Sequence, residues 1–299
     1  MELDALIRCL SSPACAVTQV STGLIGGMLL FLVASGLSLI FGVLGIINFA
    51  HGAFYMLGAY FALTGYLLTQ SFLVAVVFGT LGMALFGALF ERLLIKHIYG
   101  RDVLMQLLLC YGVVLILDDL VKIIWGAAYQ SMGMPKFFAR PPIFVLGGPL
   151  PPYYIFMVGL AVLVGAVLWF GLARTRFGKT VRAAAVNPQM VSALGINTAV
   201  LYASVFAIGG ALAGLAGALA APVRTMTPGM GLSVLIESFI VTVIGGMGSI
   251  VGAFMAALII GLTRAFGAIG FPLFVDGAMF IMMALVLVLK PSGLFGKEV

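Results

Sequence analysis

From Cys9 to Phe90 the chain carries no Asp, Glu, Lys or Arg. A water-facing surface on so long a stretch would need solvated charge, and ordinary globular domains hold about a quarter charged residues. The whole 299-residue chain holds only 8%, against 63% hydrophobic residues. Nine acids and fifteen bases are too few to coat a globule of this size. The apolar runs between the charges approach the roughly 20 residues that a helix needs to cross a bilayer. They are continuous rather than alternating, which excludes the short two-residue pattern of a membrane β-barrel. The expected fold is all-α: a polytopic membrane protein of about 8–10 transmembrane helices. We place spans near 17–41, 52–70, 72–92, 103–124, 153–173, 199–221, 232–247, 249–266 and 273–289.

Three basic segments set the orientation. ERLLIKHIYGR (91–101) holds Arg92, Lys96 and Arg101, and RTRFGKTVR (174–182) holds Arg174, Arg176, Lys179 and Arg182. The C-terminal tail adds Lys290 and Lys297. Placing these on one side gathers nine of the fifteen bases there. Basic loops stay cytoplasmic. The C-terminus and the loop 175–198 are therefore expected inside, and the Pro- and Gly-containing segment 125–152 outside. Nine spans then put the N-terminus outside. MELDALIRCLSS lacks a basic n-region and a cleavage site, so the first span is expected to serve as its own insertion signal. The net charge of +6 is spent on topology, and no nucleic-acid partner is expected. Cys9, Cys15 and Cys110 lack metal-ligand spacing. They are expected to be unpaired small hydrophobes, with a Cys9–Cys15 disulfide as the alternative.

No linker divides residues 1–299, which read as one membrane domain. Aligning 40–54 (IFGVLGIINFAHGAF) with 240–254 (IVTVIGGMGSIVGAF) gives six identities, a hint of internal duplication. Matching Gly-interrupted segments in opposite halves point to a transporter's binding region. The match leaves a parallel or an inverted repeat open. In the first segment, polar Asn48 and His51 sit in an apolar stretch beside Gly45 and Gly52. An unsatisfied polar group in hydrocarbon is costly, and Asn tolerates left-handed backbone and bonds its own main chain. We read 44–52 as a helix break near the cytoplasmic face. Two roles compete for Asn48 and His51: holding the bend, or lining a gate with Gly52, Tyr55, Gly245 and Gly248.

ARTRFGKT (173–180) fits a loose phosphate-loop pattern, but a span rather than a strand precedes it, so no nucleotide is expected there. AVNPQMVSALGIN (185–197) is more informative. Asn187 suits an N-cap, Pro188 the first helical position and Gly195 a left-handed exit. Met190, Val191 and Leu194 would be exposed apolar groups on this short helix. Asp118 and Lys122, spaced i,i+4, should pair. Glu237 is expected in a structural or vestibule role near the outer interface. Gly210, Gly214, Ala213 and Gly217 form a small-residue stripe for packing within the chain or against a second subunit. No nucleophile, metal set or acid pair argues for an enzyme, and no cofactor is expected.

GIINFAHGAFYMLGAY, AAAVNPQMVSALGIN and the TPGMG … VIGGMGSIVGAF segment (227–254), in this order, resemble the branched-chain amino acid ABC-transporter permease family. The likeness spans nearly the whole chain. It implies an α-helical permease in a bacterial inner membrane, paired with a second homologous permease. Two cytoplasmic ATPases and an extracytoplasmic substrate-binding protein would complete the importer. The resemblance assigns the short helix with Asn187, Pro188, Met190, Leu194 and Gly195 to ATPase docking. Relatives for urea or short amides, and a stand-alone ion-coupled carrier, are the alternatives.

Overall fold

Helix α2, Pro13–Leu44, is the longest element and the axis of the fold. Proline at its first turn needs no partner for an N–H it lacks. At the other end Gly45 adopts φ 66°, and its N–H bonds Phe41 O at 2.8 Å, closing the helix. The computed structural model describes residues 2–296, so Lys297 lies outside the described residues. The chain opens with α1 (Glu2–Ser11) and continues after α2 with α3 (His51–Thr69), α4 (Phe72–Leu93) and α5 (Val103–Trp125). A small hairpin of β1 (Ile143–Val145) and β2 (Gly148–Leu150) precedes α6 (Pro152–Arg174), α7 (Arg176–Val186) and α8 (Pro188–Ala193). Four helices complete it: α9 (Thr198–Ala220), α10 (Met230–Gly245), α11 (Ile250–Gly270) and α12 (Val275–Leu289).

Each of the nine predicted spans coincides with one helix. Seven of the described helical stretches are long and apolar enough to cross a membrane. Helix α10 is apolar but only 16 residues long, and α5 carries Asp118, Asp119 and Lys122 in its last two turns. The small-residue stripe of α9 packs inside the chain. A methyl at Gly210 would overlap Met83 O of α4, and one at Gly217 would overlap Tyr55 O of α3. Backbones therefore touch there, which maximises dispersion contact where lipid gives no hydrophobic drive.

The described parts of the three basic segments gather at one end. Tyr99 meets Tyr202 at the start of α9 edge to face, ring centroids 5.4 Å apart, and donates to Glu91. Burial and the neighbouring carboxylate push the Tyr99 hydroxyl well above its ordinary pKa. Leu294 N–H bonds Ile244 O at the end of α10. The segment 125–152 lies at the opposite end, where Gln130 bridges Met226 and Gly148 packs on Ala14 O.

Two local expectations are corrected. Cys9 and Cys15 form a disulfide, because the turn at Ser12 between α1 and α2 brings their Cα atoms to 5.1 Å; Cys110 alone is free and buried. Lys122 pairs with Asp119 at 2.8 Å rather than with Asp118. The Asp118 carboxylate lies instead beside the Gly229 backbone. Within the 125–152 segment, Leu146 and Gly147 both take positive φ and close the two-residue turn of the β1–β2 hairpin.

Candidate functional site

The first break runs from Gly45 to Ala50 and folds back along α2. His51 N–H bonds Asn48 O at 3.1 Å, and the Asn48 carboxamide oxygen accepts from Ala50 N–H at 3.1 Å. Asparagine thus supplies the turn that starts α3. The His51 ring sits against Gly36, its Nε2 3.1 Å from Val33 O. A carbonyl only accepts, so Nε2 carries the proton and Nδ1 is bare. Asn48 and His51 are both fully buried. Val33 lies about three turns before the end of α2, so both polar groups sit inside the bundle and not at its end face. Asn48 Nδ2 and His51 Nδ1 are buried without a hydrogen-bond partner among the described residues. Gly52 is fixed by close approach, since a methyl there would overlap Gly231 O.

The second break lies between α10 and α11. Gly246 and Gly248 take φ 96° and 87°. Ser249 caps α11 by accepting from Gly252 N–H at 3.0 Å. The Gly248 N–H donates to Ser38 Oγ of α2 at 3.0 Å, and Gly42 faces Gly248 backbone to backbone. Gly245 packs directly on Gly252. Both breaks therefore lean on the same helix, α2, and both helix pairs turn towards the basic end. Tyr55 stands apart from this junction, on α3 beside Arg224.

The loop of α7 and α8 meets the second break. A cavity of about 290 Å³ is lined by Ser38 and Gly42 of α2, Leu172 of α6, Val181 and Arg182 of α7, and Gly248. The Arg182 guanidinium donates to Leu172 O. Beyond α7, the Asn187 side chain accepts from Met190 N–H at 2.9 Å, Pro188 takes the first turn, and Gly195 leaves at φ 81°. The caps are those the spacing predicted. Met190 is 54% and Leu194 72% exposed, but Val191 is buried at 1%. Val191 stands about 100° around the helix from Met190 and turns towards the bundle, so it belongs to the core and not to the outward face.

Sequence reasoning missed a charged cluster at the other end of α2. Arg264 of α11 pairs with Glu237 of α10 and lies 3.8 Å from Asp276. Arg224, in the α9–α10 connection, lines the same cavity as Arg264. Both arginines are lone bases in apolar windows, and that isolation was the available signal.

A bundle of apolar helices with two glycine breaks, a cavity between one break and a capped loop, and that loop itself is a multi-pass membrane permease. The profile of a family described as branched-chain amino acid transport system / permease component matches residues 19–289. The high-affinity branched-chain amino acid transport system permease protein BraD of Pseudomonas aeruginosa is 32% identical over 298 residues, 93% of this chain and 95% of BraD. The corresponding LivH of Escherichia coli is 28% identical over 300 residues, 93% and 95% of the two chains. A shorter likeness, 34% over 117 residues, joins 36% of this chain to 32% of the fructose import permease protein FrcC of Rhizobium meliloti. The chain belongs to the branched-chain amino acid transport permease family.

Proposed function

We propose that this chain is the transmembrane subunit of an ATP-binding-cassette importer for branched-chain or related amino acids. The family membership supports it, and so does one observation: α7 of the docking loop and the Gly248 break line the same cavity against α2. A push on α8 is passed through α7 to the hinge that joins α10 to α11. ATP-driven closure of two cytoplasmic ATPases would supply that push and reorient the spans by alternating access. The outward Met190 and Leu194 side chains enter an apolar groove on an ATPase. A second homologous permease completes the path, and an extracytoplasmic binding protein selects and delivers the cargo. The whole of residues 1–299 acts as one domain in a bacterial inner membrane. The basic end faces the cytoplasm with the C-terminus, by the positive-inside rule, and 125–152 faces outward.

The reading is tested by purifying the tagged permease with its ATPases. The double variant Met190→Asp, Leu194→Asp should reach the membrane at normal levels and lose the ATPases, because unpaired charge in an apolar groove costs several kcal/mol. Retention of both ATPases by that variant would show that α8 is not the docking element.

A further inference from the structure

Resting on that reading, we propose that the cavity between α2, α11 and the α9–α10 connection is a transient site for a zwitterionic amino acid. Its carboxylate would lie on Arg224 and Arg264, and its ammonium on Glu237. The cavity measures about 220 Å³ and is lined by Gln19, Thr22, Leu30, Arg224, Arg264 and Ala268, among others; Glu237 adjoins it as the ion-pair partner of Arg264. Ligand pockets start near about 300 Å³, so this one suits a single small molecule. It lies at the end of α2 away from the docking loop, the end at which a delivered cargo arrives.

The charges there are incompletely matched. Among the described residues, Arg264 holds Glu237 through one guanidinium nitrogen and approaches Asp276 at 3.8 Å through another. Only one Glu237 oxygen is engaged, and Oε2 is buried with no hydrogen-bond partner among the described residues. Arg224 is exposed, lies beside the Tyr55 hydroxyl and takes part in none of the ion pairs seen among the described residues. Ionisable groups inside an apolar bundle are costly and mark transport pathways. A carboxylate oxygen without a partner and a guanidinium outside the ion pairs seen among the described residues are what an α-amino acid carries in complement, since guanidinium forks suit carboxylates. Leu30 and Ala268 leave an apolar wall for its side chain. The site is weak by design: the Arg264–Glu237 pair re-forms when the cargo leaves.

The test uses the assembled importer in liposomes, with Thr22→Cys as a reporter in the cavity wall. The native cysteines are silent, being disulfide-bonded or buried. Millimolar leucine should slow maleimide labelling of that thiol at least threefold. Leucinamide, which lacks the carboxylate, should not. Adding Arg224→Gln should abolish the protection while the labelling rate without leucine and ATPase co-purification stay unchanged. Import of radiolabelled leucine by the Thr22→Cys importer is measured in the same vesicles. An importer that carries leucine yet shows no protection, or equal protection with Arg224→Gln or by leucinamide, overturns the site alone. An importer that carries no branched-chain amino acid overturns the functional reading, and the site with it.

Discussion

Gly52 shows how one missing side chain sets the geometry of the first break. Its neighbour Gly231 lies so close that a single methyl has nowhere to go. Gly52→Ala should therefore destabilise the protein by about 1–3 kcal/mol, the range for overpacking a dense interior. Gly26→Ala, where no heavy atom lies within 4 Å of the added methyl, should leave the thermal unfolding midpoint in detergent unchanged. Equal midpoints for the two variants would remove the close approach from the account. At this scale the sequence was legible where chemistry is local. Asn48, Asn187 and Pro188 sit in the turns and caps their side chains dictate, and Gly195 in the left-handed exit that the lack of a Cβ allows. Partners across the bundle were not legible. Asp118 reaches Gly229 and Ser38 reaches Gly248, contacts that depend on helix packing rather than on spacing along one helix. The Cys9–Cys15 bond stood only as the alternative reading because it depends on the turn at Ser12.

Among the elements, α8 carries the sharpest contrast. It is only six residues long, too short to be stable alone, so its caps and its one buried side chain must hold it. Asn187→Ala should cost about 1 kcal/mol through loss of the cap to Met190 N–H. Transport should fall moderately and assembly should persist. Val191→Asp places a charge in the core beneath the helix and should prevent accumulation of the protein in the membrane. Met190→Asp alone should not. If Val191→Asp accumulates like wild type, α8 does not pack as described. The helix periodicity and caps announced this element in the sequence. They did not announce which of its apolar residues faces inward, because two turns leave too little periodicity to decide.

For the whole molecule, the nine apolar runs map onto nine helices because continuous hydrophobicity and punctuating charge survive in any packing. Their pairing was hidden, since α9 contacts α3 and α4 through glycines that read equally well as a subunit interface. Orientation is open to direct test. Ser131→Cys, on an exposed segment at the end opposite the docking loop, should react with an impermeant thiol reagent in intact cells. Gln189→Cys, exposed on α8, should react only after permeabilisation. The natural cysteines contribute little background, for the reasons given above. The reverse pattern would invert the proposed topology and place α8 where no ATPase could reach it. The central claim is that ATP drives amino-acid import through this chain, and uptake into liposomes measures it most directly. Vesicles holding the permease pair and both ATPases, with binding protein outside and ATP inside, should accumulate radiolabelled leucine against a gradient. Uptake should cease without ATP or with the Met190→Asp, Leu194→Asp pair. Equal uptake by this chain alone, without ATPases or ATP, would contradict the account.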